Sequence, residues 1–469
     1  MKKAKIVCTV GPSSESEDII QRMASEGMDT ARLNFSHGTV SGHRRMCRAI
    51  RRVSDRIGRP IAVLQDLQGP RLRLGKIEND WLELEKGTRL VLTTRKVAGK
   101  PGVIPVQYPN FAREVRRGSI VLLADGSVQL EVLDTNGPDV DTRVVVGGRI
   151  GTHQGLNLPG TDISSPALTA KDVADLKAGL SMGVDAVALS FVRSPEHVRK
   201  ARKILSRHSS RALLIAKIEH PLAVERLEDI LREADGIMVA RGDLGVEMPP
   251  EKVPTIQKQA IAMANHRGKL VIVATQMLES MRHQPRPTRA EASDVANAVL
   301  DGADALMLSG ETASGRYPVE AVRMMKRIVL EAEASSGAGA MPQPLVETEP
   351  FANAVANATV VAARDLEVKT IVAFTESGYT ARLLSDYRPE AEIVALTPRR
   401  QTQRALAMFW GVEPVLVPRV RSTDALIRLV NRTLLEKRLA SKGEVVVVTG
   451  SIPAGRSGRT NMMKAHVVE

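Results

Sequence analysis

The sequence predicts an α/β protein: a (β/α)8 TIM barrel with an inserted antiparallel β-barrel domain and a C-terminal doubly wound α/β domain. Three observations lead to this prediction. The chain has 469 residues, which is more than one hydrophobic core usually accommodates. Eight short apolar runs alternate with amphipathic stretches, the pattern of parallel strands joined by helices. One block interrupts this alternation, and a smaller alternating block ends the chain.

The barrel is predicted from eight candidate strands and the helical patterns between them. Helical patterns such as those at 17–26, 42–57 and 170–182 separate most of the strands. Eight such units favour a closed barrel, although strand count alone leaves an open doubly wound sheet as the alternative. The candidate strands are residues 5–10, 29–34, 61–66, 186–191, 213–218, 236–240, 270–275 and 305–309.

The inserted domain is predicted at residues 70–165, between barrel segments 1–69 and 166–344. Short alternating runs are separated there by turn signals such as Asp125-Gly126, which is typical of antiparallel strands. Hinges are expected at Gly69-Pro70 and near 158–160. A linker of small residues at 335–340 leads into the C-terminal domain, predicted at 345–469.

Charge and composition narrow the function classes. The net charge of +13 is spread over all three predicted domains, so it does not form the basic stripe of a nucleic-acid binder. Cys8 and Cys47 are the only cysteines, which excludes a disulfide framework and a cysteine-rich zinc site. No signal-peptide core and no membrane-spanning run is found, so we expect a cytoplasmic protein without nucleic-acid or membrane partners.

Polar and charged side chains gather where the predicted barrel strands end. Barrel enzymes place their chemistry at these C-terminal strand ends. Any one such residue is more often a helix cap or loop residue, but seven of the eight ends carry a charged or hydroxyl group. The strand ends supply Arg32 and Asn34, Asp66, Ser190, Lys217 and Glu219, Arg241 to Asp243, Thr275 and Ser309.

Two of these carboxylates, Glu219 and Asp243, follow adjacent strands and are candidates to bind Mg²⁺ or Mn²⁺. The simpler alternative is that Glu219 only pairs with Lys217, because alternate residues of a strand point to the same face. Arg32, Arg73 and Lys217 add positive charge nearby. Phosphoryl transfer needs this combination of metal and cations, and the absence of a Walker A motif excludes a P-loop kinase.

Several long motifs resemble the pyruvate kinase family, in the same order along almost the whole chain. The resemblance implies a barrel, an inserted β domain that acts as a lid, and a C-terminal regulatory domain. This agrees with the division reached from the alternation of apolar runs. The motifs are KIVCTVGP at 5–12, ARLNFSHG at 31–38, AKIE at 216–219, ARGDLGVE at 240–247, ATQML at 274–278, PTRAE at 287–291 and MLSGETA at 307–313.

The resemblance implies transfer of phosphate from phosphoenolpyruvate to ADP in glycolysis, by a cytoplasmic homotetramer. Lys217 is then expected to stabilise the transferring phosphoryl group and the enolate, while Arg32 and Arg73 contact phosphate groups. Glu219 and Asp243 are expected to hold the metal. The implied site for the substrate carboxylate comprises the backbone N–H groups of Gly242 and Asp243 with Thr275; Thr275 and Ser309 lie near the position where the enolate is protonated.

One departure from the family pattern concerns a K⁺ ion. In many members K⁺ binds at positions that match Asn34, Ser36, Asp66 and Leu67. Here the following loop carries Arg71 in place of an acid. We expect the Arg71 guanidinium to replace the charge of K⁺ and to pair with Asp66, so that K⁺ is not required; in the alternative, Arg71 faces solvent and K⁺ still binds.

Two further features concern the lid and the regulatory domain. A lysine expected before the lid motif GLNLPG is replaced by His153-Gln154, so no lid residue is assigned to the nucleotide.

In the regulatory domain, the loop with Thr375, Ser377, Gly378 and Thr380 matches the family's site for a phosphorylated effector, covered by a glycine-rich stretch at 455–459. A sugar monophosphate or AMP is favoured over fructose 1,6-bisphosphate; a simple helix cap is the alternative.

Two other functions remain open at this point. A Mg²⁺-dependent barrel lyase shares the metal and the enolate, but it has no use for the lid or for Arg73 at its hinge. An anion-binding or nucleic-acid-binding protein would use the +13 charge without turnover. ADP-dependent formation of pyruvate separates the transferase from both.

Overall fold

The computed structural model describes residues 2–161, 163–164, 166, 168–335, 350–420, 422–451 and 460–469. The glycine-rich stretch at 455–459, most of the predicted linker and the predicted boundary at 344/345 lie outside these residues. The strands in chain order are β1 (Lys5–Thr9), β2 (Thr30–Asn34), β3 (Ala62–Asp66), β4 (Leu72–Arg73), β5 (Trp81–Leu84), β6 (Arg89–Thr93), β7 (Val103–Pro105), β8 (Ile120–Leu123), β9 (Val128–Asn136), β10 (Asp139–Val146), β11 (Gly148–Gly151), β12 (Gly155–Asn157), β13 (Ala186–Leu189), β14 (Leu213–Ile218), β15 (Gly236–Ala240), β16 (Leu270–Ala274), β17 (Ala305–Leu308), β18 (Thr370–Phe374), β19 (Glu392–Thr397), β20 (Val412–Leu416), β21 (Val445–Gly450) and β22 (Met462–Val467).

The helices connect most of these strands. In chain order they are α1 (Glu17–Glu26), α2 (Val40–Ile57), α3 (Phe111–Glu114), α4 (Ala170–Met182), α5 (Pro195–Arg207), α6 (Pro221–Glu225), α7 (Leu227–Glu233), α8 (Arg241–Glu247), α9 (Val253–His266), α10 (Arg289–Leu300), α11 (Gly310–Ala313), α12 (Pro318–Ser335), α13 (Pro350–Asp365), α14 (Tyr379–Asp386), α15 (Arg400–Leu406) and α16 (Thr423–Glu436). Short 3-10 turns lie at Glu78–Asp80, Pro250–Lys252 and Glu279–Arg282.

Eight parallel strands close into a barrel in the order β1-β17-β16-β15-β14-β13-β3-β2. The predicted barrel is therefore confirmed, and the open-sheet alternative is excluded. Every predicted strand overlaps an observed one, because each is a fully buried apolar run that can only lie between neighbouring strands and a layer of helices. Local signals also set the helix ends: Ser16 caps α1, and Gly27, with a φ of 128°, ends it.

The inserted domain forms a seven-stranded sheet in the order β4-β12-β8-β9-β10-β6-β7 and a two-stranded sheet of β11 and β5. Its buried residues, from Leu72 to Leu158, form a hydrophobic core separate from that of the barrel. Pairing is antiparallel as predicted, with one exception: β6 and β7 run parallel. The segment between these two strands therefore crosses over instead of forming a hairpin.

The C-terminal domain is a five-stranded sheet in the order β20-β19-β18-β21-β22. Four strands are parallel, and β22 is an antiparallel edge strand. The domain packs against the N-terminal end of the barrel strands: the Gly411 N–H donates to the Lys3 carbonyl oxygen at 2.9 Å, and Lys5 Nζ donates to the Val412 carbonyl oxygen at 2.8 Å. The opposite, C-terminal end of the barrel therefore faces the lid.

Two further observations complete the fold. The residues that follow β15, from Arg241 onward, form α8, and Gly242 and Gly245 lie within this helix. Among the helices described, none is both long and apolar enough to span a bilayer.

Candidate active site

Lys217, near the end of β14, is the centre of the polar cluster at the C-terminal end of the barrel. Its side chain is buried, and Nζ lies 2.7 Å from Glu219 Oε1 and 3.4 Å from Asp66 Oδ1. Nζ also donates a hydrogen bond to Ser190 Oγ at 2.8 Å. Burial alone lowers the pKa of Lys217, but the charges of Asp66, Glu219 and Asp243 outweigh it and raise the pKa above its usual value. The site therefore holds a permanent cation.

Arg32 is a second buried cation and lies beside Lys217 across Asp66. Its Nε donates to Asp66 Oδ2 at 2.7 Å, and its Nη1 donates to Thr9 Oγ1 at 2.9 Å. Strands β2 and β3 bring the two residues together, since Arg32 lies two residues before the end of β2 and Asp66 ends β3. Burial raises the pKa of Asp66, but the Lys217 and Arg32 charges lower it below its usual value. Asp66 thus orients both cations.

Glu219 and Asp243 are the two carboxylates at the ends of β14 and β15. Glu219 is fully buried, and its Oε2 accepts a hydrogen bond from the Phe191 N–H at 2.7 Å. Its Oε1 lies 2.7 Å from Lys217 Nζ and has no other donor among the described residues. Burial and the charge of Asp243 raise the pKa of Glu219, and Lys217 lowers it; the net result is a pKa of about 7.

These two carboxylates suit a magnesium or manganese ion. The described residues contain no cluster of three or more histidine, cysteine or carboxylate ligands, so a zinc-type site is not formed there. Mg²⁺ typically takes one or two protein carboxylates and completes its shell with water and phosphate oxygens. Glu219 Oε1 is a buried oxygen whose one neighbouring donor among the described residues is Lys217, and with the second carboxylate, Asp243, it fits that requirement.

Thr275 follows β16 in a strained backbone conformation. Thr275 and Gln276 have φ values of 73° and 54°, a region that costs a non-glycine residue about 1–3 kcal/mol. The strained turn brings Thr275 Oγ1 to the first turn of α8, where it accepts a hydrogen bond from the Gly242 N–H at 2.7 Å. The N–H group that the resemblance implied for the substrate carboxylate therefore donates to Thr275 in this structure.

Ser309 directly follows the last barrel strand, and Glu311 fixes its backbone. The Ser309 N–H donates to Glu311 Oε2 at 2.7 Å, and the Leu278 N–H donates to Oε1 at 3.0 Å. Ser309 Oγ makes no hydrogen bond with the described residues. Glu311 is fully buried, and burial raises its pKa. It joins the loops after β16 and β17, a role that sequence reasoning missed because Glu311 follows the strand end by three residues.

Arg71 does not pair with Asp66, and that expectation was wrong. Its Nη2 donates to Asp125 Oδ1 in the lid at 3.0 Å. Asp66 is buried at the barrel end and already contacts Arg32 and Lys217, whereas Arg71 follows Pro70 and points toward the lid. The alternative, in which Arg71 simply faces solvent, does not describe this ion pair either.

The positions matched to the K⁺ site lie close together around Asp66. Asn34 is the register partner of Asp66, and its Oδ1 accepts the Ser36 N–H at 3.1 Å. The Leu67 carbonyl oxygen accepts a hydrogen bond from Ser190 Oγ at 2.7 Å. Several of the oxygens that would face an ion are therefore already engaged.

Arg73 lies in β4, the first strand of the lid, and its Nη1 donates to the His153 carbonyl oxygen at 3.0 Å. His153 has a φ of 57°, so the chain turns sharply there. Burial and the charge of Arg71 lower the pKa of Arg73. The lid thus carries two neighbouring arginines at its base, Arg71 and Arg73.

The candidate effector loop follows β18 in the C-terminal domain. The Gly378 N–H donates to Thr375 Oγ1 at 2.9 Å, the Tyr379 N–H to Ser377 Oγ at 3.4 Å, and Thr380 Oγ1 lies 2.8 Å from Thr460 Oγ1. The first two bonds are local contacts of the turn before α14, whose N-cap residue Gly378 makes no side-chain cap bond, and the third joins the helix to a distant segment.

Sequence reasoning missed the charged residues of this loop. Glu376 Oε2 accepts from Arg399 at 3.1 Å, and its Oε1 accepts from Arg419 at 3.0 Å. The two arginines come from distant segments, so spacing along the chain gave no signal for this triad.

Comparison with known proteins agrees with the fold. Family models for "Pyruvate kinase, barrel domain" and "Pyruvate kinase, alpha/beta domain" match residues 1–322 and 353–466. Pyruvate kinases of Staphylococcus saprophyticus and Staphylococcus aureus are each 44% identical, over 100% of this chain and 81% of the relative. A crystal structure of a pyruvate kinase from Cryptosporidium parvum superposes with a TM-score of 0.93 at 35% identity, covering 100% of this chain and 96% of that one. The chain therefore belongs to the pyruvate kinase family and is a phosphotransferase.

Proposed function

We propose that this site transfers the phosphoryl group of phosphoenolpyruvate to ADP, and that Lys217 stabilises the charge that develops during the transfer. The observation that carries the proposal is the buried Lys217 ammonium, held within 3.4 Å of Asp66, Glu219 and Ser190 at the barrel end. A fixed cation in a water-poor site stabilises charge that develops on a transferring phosphoryl group and on the enolate it leaves. Arg32, oriented by Asp66, and Arg73, at the base of the lid, bind phosphate oxygens on either side.

Glu219 and Asp243 would hold Mg²⁺ or Mn²⁺. When bound, the ion supplies positive charge beside the phosphate oxygens. Glu219 keeps its position without the ion because the Phe191 N–H fixes Oε2, while Oε1, beside Lys217, would be the oxygen that binds the ion.

The substrate carboxylate binds at the first turn of α8 through the Gly242 and Asp243 N–H groups. Gly242 donates to Thr275 Oγ1 without substrate, so the carboxylate replaces this acceptor and leaves the Thr275 hydroxyl with one partner, the Ala274 carbonyl oxygen at 2.6 Å. That hydroxyl and the unpartnered Ser309 Oγ then lie where the enolate carbon takes up its proton. This exchange of partners supports a role of Thr275 in both binding and protonation.

Activity without K⁺ is a further part of the proposal, and it does not depend on a pair between Arg71 and Asp66. Asp66 is neutralised by Arg32 and Lys217, and the Asn34 and Leu67 oxygens already accept hydrogen bonds. Arg71 adds positive charge at the lid base, although its partner is Asp125. The K⁺ ion of other members therefore has little left to neutralise.

A phosphorylated effector, a sugar monophosphate or AMP, is proposed to bind beside the loop of Thr375, Ser377, Gly378 and Thr380. The supporting feature is the triad of Glu376, Arg399 and Arg419, because an effector phosphate competes with the Glu376 carboxylate for these guanidinium groups. Titration of each candidate against the phosphoenolpyruvate saturation curve tests this. No shift with any candidate contradicts it and leaves the loop as a cap.

The central experiment measures ADP-dependent pyruvate formation with lactate dehydrogenase as the coupling enzyme. The proposal expects turnover only with phosphoenolpyruvate, ADP and Mg²⁺ or Mn²⁺ together. Pyruvate formed without ADP would instead favour the lyase alternative.

A cytoplasmic homotetramer is proposed on the family resemblance, and light scattering of the purified protein tests the oligomeric state.

A further inference from the structure

Asp172, in the first turn of α4, is a buried carboxylate that the proposed chemistry does not use. Its exposed fraction is 0%. In the described part of the chain no cationic side chain forms an ion pair with it, so hydrogen bonds alone compensate for its burial. Its Oδ1 accepts from the Gly69 N–H at 3.0 Å, and its Oδ2 accepts from the Thr169 N–H at 2.9 Å and from Thr169 Oγ1 at 2.6 Å.

The two residues bound by Asp172 lie at the two crossings between barrel and lid. Gly69 precedes the first lid strand, and Thr169 is the N-cap residue of the helix that follows the lid. One side chain thus joins the two points where the chain leaves the barrel and returns to it. The bond to Thr169 is half of an ordinary capping box, but the bond to Gly69 is an addition that helix capping does not need.

Both oxygens of Asp172 act only as acceptors, so the position requires a carboxylate. An asparagine has one acceptor oxygen, and its amide group would face either the Gly69 N–H or the two Thr169 donors. Asp172→Asn therefore removes the hydrogen bonds to either Gly69 or Thr169, while the size and shape of the side chain are preserved.

Gly69 also contacts the residue that holds Lys217. It has a φ of 71°, and an added Cβ would lie 2.9 Å from Ser190 Cβ. Ser190 Oγ in turn donates to the Leu67 carbonyl oxygen and accepts from Lys217 Nζ. The position of the lid crossing is thereby linked, through packing and two hydrogen bonds, to the position of the Lys217 ammonium.

We propose that Asp172 is a positioning residue, which fixes the base of the lid relative to Lys217 so that Arg73 and Lys217 meet the same phosphoryl group. The inference rests on the proposed phosphoryl transfer and names a residue that acts on it only through Gly69 and Thr169. Loss of one crossing bond misplaces the lid arginines while the barrel groups stay in place.

Two reactions of the full-length protein separate these parts. Phosphoryl transfer needs lid and barrel together, whereas exchange of the pyruvate methyl protons with D₂O, followed by NMR with Mg²⁺ present, uses barrel groups. In Asp172→Asn we expect transfer to fall by about 10- to 100-fold, since misplacement by about 1 Å costs that much, and exchange to stay within about threefold of wild type. Thr169→Val is the matched control, because it removes the hydroxyl but keeps both backbone bonds; its transfer rate should stay near that of wild type.

Equal loss of both reactions in Asp172→Asn, or unchanged transfer, overturns the inference. Should Asp172→Asn fail to fold by circular dichroism, Asp172→Ser decides, because it removes the carboxylate bond to the Gly69 N–H without adding bulk beside Ser190 and should give the same split. A wild type that transfers no phosphate would refute the proposed function itself, whereas an active wild type with unaffected variants refutes only the role of Asp172.

Discussion

Asn157 of the lid donates a hydrogen bond to Glu247 of the barrel, with 2.7 Å between Nδ2 and Oε1. Glu247 ends α8, the helix that begins with Arg241, Gly242 and Asp243. Burial raises the pKa of Glu247, and its second oxygen, Oε2, accepts no hydrogen bond from the described residues. The contact therefore joins β12 of the lid, the neighbour of β4, to the helix that carries a candidate metal ligand.

Asn157→Asp is expected to weaken the contact between the lid and α8, because it places two carboxylates against each other. Like charges at a buried contact cost about 1–3 kcal/mol, so the Michaelis constant for ADP should rise about 10-fold or more. Steady-state kinetics with varied ADP measure this. Glu247→Gln in the same chain should restore much of the loss, and a double-mutant cycle without coupling would contradict a direct contact.

Lys217→Met should keep phosphoenolpyruvate binding while kcat falls by about 10²-fold or more, since a preorganised cation is lost from the transition state. Coupled assays give kcat, and calorimetric titration gives the binding constant. The variant leaves Asp66 and Glu219 without this cation, so its thermal stability must be compared with that of wild type. Turnover close to wild type in a folded Lys217→Met protein would refute the assignment.

The sequence allowed the barrel strands and the strand-end cluster to be predicted, since both follow from local patterns. The barrel strands are short, largely apolar runs, and Glu219, which directly follows β14, shares a face with Lys217 because the two are alternate residues. The site partners were harder to predict. Arg71 pairs with Asp125, which lies in a lid turn 54 residues later, and that choice depends on how the lid folds back.

The residues that connect elements were missed for the same reason. Ser190 was recognised as a strand-end hydroxyl, but its bridge between Leu67 and Lys217 exists only once three strands lie side by side. Glu311 and Asp172 lie in helices, where an acidic residue near the N-terminus is ordinarily a cap. Their bonds to other loops are tertiary, and no spacing in the chain announces them.

Wild-type kcat should change by less than about twofold when KCl replaces an organic cation at constant ionic strength. The reason is that Arg71 supplies positive charge and that the Asn34 and Leu67 oxygens already accept hydrogen bonds, so K⁺ has little charge left to neutralise. Arg71→Glu should reverse this: it repels Asp125, turns a positive charge at the lid base into a negative one, and makes kcat rise with KCl. Coupled assays over a KCl series measure both.

Asp125→Asn is the control for this experiment, since it removes the partner of Arg71 but keeps the guanidinium charge. It should remain independent of K⁺. Strong activation of the wild type by KCl, or the same KCl response in Arg71→Glu as in wild type, would contradict the prediction.

Asp386, at the end of α14, should make the protein less stable as pH rises toward 8. Burial, together with the charge of Asp304, raises its pKa to about 8, although Arg388, Arg382 and Lys269 act in the other direction. The Arg388 guanidinium lies 2.9 Å from Asp304 Oδ1 and so is shared with that carboxylate. In the unfolded chain an aspartate titrates near pH 4, so between about pH 4 and 8 the folded state holds a proton that unfolding releases.

Stability is therefore lost across that window, by at most roughly 1.4 kcal/mol per pH unit, and by less because Asp386 keeps part of its surface exposed. Asp386→Asn cannot ionise, so its melting temperature should fall less than that of wild type between pH 5 and pH 8. Differential scanning calorimetry measures both curves, with Asp365→Asn, at an exposed carboxylate, as the control. Parallel curves for wild type and Asp386→Asn would mean that Asp386 is already ionised in the folded protein at pH 5, and that the arginines around it outweigh its burial.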